Sequence, residues 1–453
     1  MSLATDVRSG HSPYLSEKGE RGPLLRPDDP LLRRSYYEAS VQRTGQYPSL
    51  QTDIACDVCV VGGGLAGLSA AIDLADAGFT VAVLEARRVG WGASGRNGGQ
   101  ALVGLACDMQ IVERQLGRSP ARQVWDATVE AIELIHERCR RFQIDCEWQD
   151  GCLAAAVTRR RATELAPWIE ALARDYDYRK MRLVDGAELP QWIASSRYQA
   201  AAFDSGSGHL HPLKYTLGLA RAACSLGVKI FEDSRAIEVR PARLAEVRTP
   251  QGRVHCSHVL LAGNVYLDHL MPQIASRIMP VGTFIAASVP LGAERAGQLL
   301  PRGSAVSDTQ WVLDYFRLSR DHRMIFGGRV SYSTLAPLRL PEAMRRRMVG
   351  VFPQLADVPI EFAWGGYVDI TMNRAPDFGR VADNVYYLQG FSGHGLALTG
   401  LAGRIVAEAI RGTASRFDLF AAIEHRDFPG GRWLRTPLLV LAMAWYRMRD
   451  LMG

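Results

Sequence analysis

One short stretch constrains this chain more than any other. Gly62-Gly63-Gly64-Leu65-Ala66-Gly67 follows the nearly continuous apolar run Asp57-Val58-Cys59-Val60-Val61 and opens the small-residue segment Leu65 to Ala77, which Gly78 stops. An unbroken apolar run is expected of a central parallel strand covered on both faces, and a glycine just past a helical segment is a common helix stop. A second apolar run, Thr80 to Leu84, ends on Glu85, eighteen residues beyond Gly67. Strand, G-x-G-x-x-G turn, helix, strand and terminal acid together make a dinucleotide-binding unit, and each part has a task. Gly62 permits the tight turn, Gly64 lets a pyrophosphate approach the backbone, and Gly67 lets helix and strand pack closely. The helix start at Leu65 and Ala66 offers free N–H groups and a positive dipole end to the phosphates. Glu85 takes both ribose hydroxyls and disfavours a 2′-phosphate. Ala86 and Arg87 continue this end of the site, where Arg87 or Arg88 is placed to flank the adenine.

Two further glycine clusters choose between a nicotinamide and a flavin. Trp91-Gly92-Ala93-Ser94-Gly95-Arg96-Asn97-Gly98-Gly99-Gln100 lies just after Glu85, and a loop so permissive brings backbone very close to a flat ligand. Ser94 is placed for the pyrophosphate. Gly393-His394-Gly395, with Leu396 after it, starts another helix more than 300 residues downstream of the first. Such a start aims N–H groups at a flavin pyrimidine edge and stabilises negative charge on the reduced ring. A nicotinamide domain has no use for it, so the expected cofactor is FAD.

The remaining composition sets limits. At 453 residues, 47% hydrophobic and 22% charged, the chain is too long for one ordinary core and is expected to form two interleaved domains. Net charge is +6, carried almost wholly by arginine and without a dense basic block, which argues against nucleic acid as a partner. Eight scattered cysteines without a regular framework suggest a reduced, cytoplasmic protein. The first ten residues lack the apolar core of a secretory signal, and no apolar stretch is long enough for a transmembrane segment. Periodicity predicts helices near 113–141, 161–174 and 213–226, a β-meander over 228–261, an antiparallel sheet over 280–331, and a last core strand at Val385–Leu388. The expected fold class is α/β: a discontinuous Rossmann-like FAD domain (51–110, 208–270, 372–425) with an α+β substrate domain around a mainly antiparallel sheet (111–207, 271–371). Residues 1–50 read as an N-terminal arm followed by a surface strap, and 426–453 as a C-terminal apolar helix. The apolar run Leu438–Tyr446 is too short to cross a bilayer. It is either docked on its own domain or used for a homodimer or peripheral membrane contact.

The segments Asp57–Glu85, Gly92–Gly99, Leu260-Leu261-Ala262-Gly263-Asn264 and Gly390–Gly395 resemble the D-amino-acid oxidase superfamily of FAD enzymes, with a glutathione-reductase-like cofactor domain. Within it the chain resembles the gamma-glutamylputrescine oxidases, relatives of glycine and sarcosine oxidases. Ser35-Tyr36-Tyr37, Gly208–Pro212, Asn373-Arg374-Ala375-Pro376-Asp377 and Phe428–Gly431 carry the likeness further, over about 35–450. The resemblance implies hydride transfer from an amine carbon to flavin N5, hydrolysis of the imine to an aldehyde and ammonia, and dioxygen as acceptor with release of peroxide. It adds Ala262 and Gly263 to the cofactor contacts. Sarcosine oxidases tether FAD through a cysteine before the last strand, and other relatives through a histidine near the glycine loop. Neither stands at those positions here, so non-covalent FAD is expected. The lysine that sarcosine oxidases hold over the flavin aligns with Ile325, which leaves open a dehydrogenase that passes electrons to another acceptor; the alternative substrate reading is an FAD dehydrogenase or oxidase of a secondary amine or amino acid. A flavin-bearing subunit without catalysis is a third reading.

His394, between two glycines beside the expected flavin, and Tyr315 are the candidate catalytic residues. Arg317, Arg329 and Arg374 are candidate anchors for a substrate carboxylate, because the planar guanidinium binds it bidentately. Trp364 with Tyr315 is a candidate aromatic wall for the amine chain. His209 and His211 have metal-like spacing without an evident third ligand, so a strand or loop role is expected and no metal site. Asp377 is expected to bond the loop backbone.

Overall fold

A computed structural model describes residues 34–44, 47–267, 270–310, 313–328 and 339–429. Two sheets organise it. The first has the order Asp377–Ala382, Val385–Gln389, Arg253–Leu261, Ile54–Val61, Val81–Leu84, Lys229–Phe231, with the antiparallel hairpin Glu238–Arg240 and Ala245–Arg248 joined to Arg253–Leu261. Its centre is parallel: Val58–Val61 pairs with Val81–Leu84 on one side and Val259–Leu261 on the other. Val58, Cys59 and Val60 are wholly buried, as a strand covered on both faces requires. The helices Leu65–Asp76 and Gly395–Ile410 pack together on this sheet. A Cβ on Gly403 would lie 2.4 Å from the Ala66 carbonyl oxygen, so glycine there lets the two backbones approach.

The second sheet has the order Ile360–Ile370, Met279–Ser288, Met324–Gly328, Asp314–Leu318, Ala305–Asp308, Gln149–Ala156, Ala200–His209, Gln100–Ala101, with Met181–Val184 added beside Ala200–His209. All pairings but one are antiparallel; Ala305–Asp308 runs parallel to Gln149–Ala156. One face packs on the helix Leu340–Val351 through Phe284, Phe316 and Phe326. The opposite face carries Thr283, Ile285, Tyr315, Arg317, Ile325, Trp364 and Gly366, which the register sets side by side.

Several local expectations change. The helix expected over 113–141 is broken at Gly117 (φ 86°) into Met109–Leu116 and Arg118–Arg141. The interval 280–331 is not strand throughout, because Ala293–Leu299 is helical. Ser35–Leu50 does not merely lie on the surface. Its short helix Tyr36–Ala39, capped by the Ser35 hydroxyl, buries both tyrosines, with Tyr37 fully enclosed against Ile285, Ile325 and Trp364. All eight cysteines are free thiols. No helix among the described residues is long and apolar enough to cross a membrane. Arg329 and the terminal apolar run lie outside the described residues.

Candidate FAD and substrate site

The first glycine turn is sealed by backbone. Gly62 adopts φ 119°, its N–H donates to the Leu84 carbonyl (2.8 Å), and a Cβ on it would sit 2.6 Å from the Ala262 carbonyl oxygen. A Cβ on Gly67 would lie 2.1 Å from the Gly62 carbonyl oxygen. Glu85 accepts from the N–H groups of Gly63 (2.8 Å) and Arg87 (2.9 Å). Burial pushes its carboxyl above the usual range, while those two N–H groups work in the opposite direction. The acid therefore ties the phosphate turn to the end of the second strand and keeps lone pairs for further donors. Arg87 stacks its guanidinium on Trp91, 5.2 Å from the ring centroid.

The second glycine loop is folded over the first helix start. Ser94 Oγ accepts from the Leu65 N–H at 3.0 Å, and a Cβ on Gly64 would lie 2.7 Å from that hydroxyl. Asn97 donates to the carbonyls of Ala93 (3.0 Å) and Ser94 (3.1 Å) and accepts from Gly99 N–H (2.8 Å). Gly95 has no room for a side chain, its Cβ position lying 2.1 Å from the Gly90 carbonyl. Arg96 Nε donates to the Trp91 carbonyl (2.9 Å). Gln100 hooks the loop to the second sheet, donating to Val306 O (2.9 Å) and accepting from Ser307 Oγ (2.7 Å).

Arg317 is engaged inside the protein. Its guanidinium donates to the carbonyls of Gly98 (2.7 Å), Leu210 (3.1 Å) and Leu318 (3.2 Å) and to Tyr37 Oη (3.0 Å), and the residue is 4% exposed. It clamps the glycine loop to the sheet. Trp364 is fully buried, donates Nε1–H to Arg96 O (3.0 Å) and meets Tyr37 edge-on at 5.3 Å. It backs the site as packed core. Tyr315 is half-buried, its ring wedged between Gly98 and Gly327: Cβ atoms there would fall 2.6 and 2.0 Å from it. Its hydroxyl makes no hydrogen bond to another described residue, and burial raises its pKa. The phenol is thus neutral and able to donate or accept.

The third glycine element is a turn with Gly390 (φ 78°), Ser392 (φ 53°) and Gly393 (φ 84°) all left-handed. It leads into the helix Gly395–Ile410, with His394 as N-cap residue. Space around the Cβ position of Gly393 is open. His394 Nε2 faces Val103 O at 3.3 Å; a carbonyl only accepts, which assigns the proton to Nε2 and leaves Nδ1 as acceptor. Burial lowers its pKa to about 4, with the Arg374 charge acting in the same direction, so the imidazole is neutral near pH 7. Arg374 holds φ 61° and is half-buried.

Asp369, unflagged by any motif, organises this turn. Its carboxylate accepts from Gly390 N–H and its carbonyl from Ser392 N–H (2.9 Å). Asp377 accepts from Tyr387 Oη (2.9 Å) and Gln389 Nε2 (2.8 Å), bracing the last strand through side chains. His209 bonds Gly303 O (2.9 Å), while His211 caps the helix Pro212–Ser225 through Lys214 N–H (3.1 Å) and contacts Ser40 (3.0 Å). Each thus has its own backbone task.

The residues fit FAD. First-turn N–H groups of a helix have no partner within it, and glycine denies a side chain to both helix starts where a ligand must come close. Residues 57–409 match the family of FAD dependent oxidoreductases, and the chain belongs to it. It is an oxidoreductase of the amino-acid and amine oxidase kind. It is 41% identical over 420 residues to a gamma-glutamylputrescine oxidoreductase of Escherichia coli, covering 92% of this chain and 98% of that one. It is 40% identical to the probable oxidoreductase OrdL of Haemophilus influenzae, over 92% and 97% of the two chains. Among solved structures, glycine oxidase from Bacillus cereus shares the fold with TM-score 0.65 at 20% identity over 82% of this chain and 99% of that one.

Proposed function

We propose that this FAD enzyme oxidises a gamma-glutamylated diamine, gamma-glutamylputrescine or a close analogue, with FAD bound non-covalently and dioxygen as acceptor. The similarity to a gamma-glutamylputrescine oxidoreductase across nearly the full length of both chains carries this reading. When bound, FAD accepts a hydride equivalent from the amine carbon. Gly62, Gly64, Leu65, Ala66, Gly67 and Ser94 would hold the pyrophosphate, Glu85 with Ala86 and Arg87 the adenosine, and Arg96–Gln100 the ring. Ala262 and Gly263 would close the cradle beside Gly62. Gly393, His394, Gly395 and Leu396 would face the pyrimidine edge.

The chain's own side chains divide the remaining work. Tyr315, half-buried on the sheet face, is a neutral phenol that can orient the amine by a hydrogen bond. His394 offers Nδ1 as an acceptor and carries no charge near pH 7. Arg317 is bound to backbone carbonyls, and Arg374 is the remaining candidate among the described residues for the glutamyl carboxylate.

A dehydrogenase that uses another acceptor is the second reading. Ile325 is 1% exposed and packs with Tyr36, Tyr37 and Trp364, so the site presents no ammonium there. Anaerobic titration of the purified yellow protein with gamma-glutamylputrescine, putrescine, glycine and sarcosine decides the substrate: bleaching by gamma-glutamylputrescine is expected. Bleaching by glycine or sarcosine alone would reject this reading. Peroxide release under air separates oxidase from dehydrogenase, and yellow colour retained in an acid-denatured pellet would refute non-covalent binding.

A further inference from the structure

The turn ahead of the helix Gly395–Ile410 contains three left-handed residues, Gly390, Ser392 and Gly393. Successive N–H groups in such a conformation form a concavity that attracts an anion. Here the anion is internal. The Asp369 carboxylate, 2% exposed, accepts from the N–H of Gly390, and the nearby Phe391 N–H and Asn264 side chain favour its charged form. Three chain segments meet at this one group. Asp369 sits at the end of Ile360–Ile370 in the second sheet, Asn264 follows Arg253–Leu261 in the first, and Gly390 follows Val385–Gln389. Asn264 itself holds φ 55°. The pairing of Asp369 with Pro280 leaves its place in the sheet set by Met279–Ser288. Ser392 Oγ adds a contact with Thr371 N–H (3.3 Å), so the strand end and the turn interlock on both sides of the carboxylate.

We infer that Asp369 is a positioning residue. It joins the substrate sheet to the cofactor sheet and sets where the Gly393–Leu396 helix start stands against the flavin pyrimidine edge. This rests on the FAD assignment above. Burying a carboxylate is costly unless its bonds are made, so the clamp holds only while the Gly390 N–H bond to the carboxylate and the Ser392 N–H bond to the Asp369 carbonyl are both in place. Asp377 provides the contrast: equally buried, its carboxylate accepts from the Tyr387 and Gln389 side chains and pairs with Arg277 (3.6 Å) rather than with the glycine turn.

The test uses full-length protein with Asp369→Ala, Asp369→Asn and Asp377→Ala. Asp369→Ala is expected to raise the FAD dissociation constant tenfold or more and to shift the flavin visible spectrum and midpoint potential. Asp369→Asn should recover part of each. Asp377→Ala should lower thermal stability while leaving the spectrum and potential unchanged. Hydrogen exchange of the Gly390–Gly393 amides in the apo form should quicken in Asp369→Ala but not in Asp377→Ala, which covers variants that bind too little FAD for spectroscopy. Equal effects of the Asp369 and Asp377 substitutions, or a wild-type spectrum, potential and exchange rate in Asp369→Ala, would overturn the inference. Wild-type protein that takes up no FAD would instead overturn the cofactor assignment, and the exchange comparison would still judge the clamp.

Discussion

The two helix starts that face the expected cofactor are built in different ways. At Gly62–Gly67 backbone presses on backbone: Gly62 against Ala262, and Gly67 against Gly62, at separations that admit no Cβ. At Gly390–Gly395 the turn is closed at Gly390, where a Cβ would lie 2.5 Å from Thr371 Cγ2, but there is free space beside Gly393, and a buried carboxylate from another sheet supplies the restraint. A turn of the first kind tolerates no side chain, because the neighbour is a backbone that cannot move aside. A turn of the second kind leaves room for a side chain at Gly393 but depends on a distant charge. The loop Gly92–Gln100 combines both, with Gly95 closed by backbone and Gly98–Gly99 held by Arg317.

The hardest blow to the comparison is Gly67→Ala. Overlap with a backbone oxygen should cost about 3 kcal/mol, at the upper end for overpacking, and should abolish flavin uptake; flavin content and thermal melting check it. Arg317→Lys comes next. Lysine lacks the planar fork that reaches the Gly98, Leu210 and Leu318 carbonyls together, and losing charged hydrogen bonds should cost about 2 kcal/mol. Denaturant melts measure that loss, and a lowered flavin affinity should accompany it. Gly393→Ala should be milder. Only the left-handed backbone opposes it, at about 1–2 kcal/mol, and the protein should still purify yellow. If Gly393→Ala lost flavin as completely as Gly67→Ala, the distinction between the turns would fail.

The effect that is smallest at neutral pH concerns His209, beside the Arg317 clamp. Burial lowers its pKa to about 3, against about 6.5 for an unfolded histidine. The unfolded chain therefore gains a proton in that window before the folded one, so stability is lost as pH falls from about 6.5 towards 3. His209→Gln cannot charge. It should remove up to about 1.4 kcal/mol of that loss per pH unit in the window. Urea midpoints at neutral pH and at about two pH units lower test it, and an unchanged difference between them would reject the effect.

Much of the cofactor side was legible because its signals are local. Strand, glycine turn, helix and Glu85 lie within one run of chain, and their spacing alone states the geometry. The break at Gly117 was less legible, since an amphipathic stripe continues across a glycine that leaves helical geometry only in three dimensions. Tyr37 looked like part of a surface strap, yet it is sealed beneath Trp364 and Arg317 by partners hundreds of residues away. Asp369 gave no signal, being one acid in an alternating strand.

From the sequence by itself came the cofactor fold, the tight Gly62–Gly67 turn between strand and helix, and the expectation of a flavin from a distant second helix start. Those follow from backbone sterics, which depend on which residues are neighbours along the chain. Only the tertiary structure decided what each charged group does. It turned Arg317 inward to backbone carbonyls, wedged the Tyr315 ring between Gly98 and Gly327, and placed Asp369 where two sheets and a glycine turn meet. A charge's role depends on its burial and its partners, and both arise only when segments far apart in sequence are brought together.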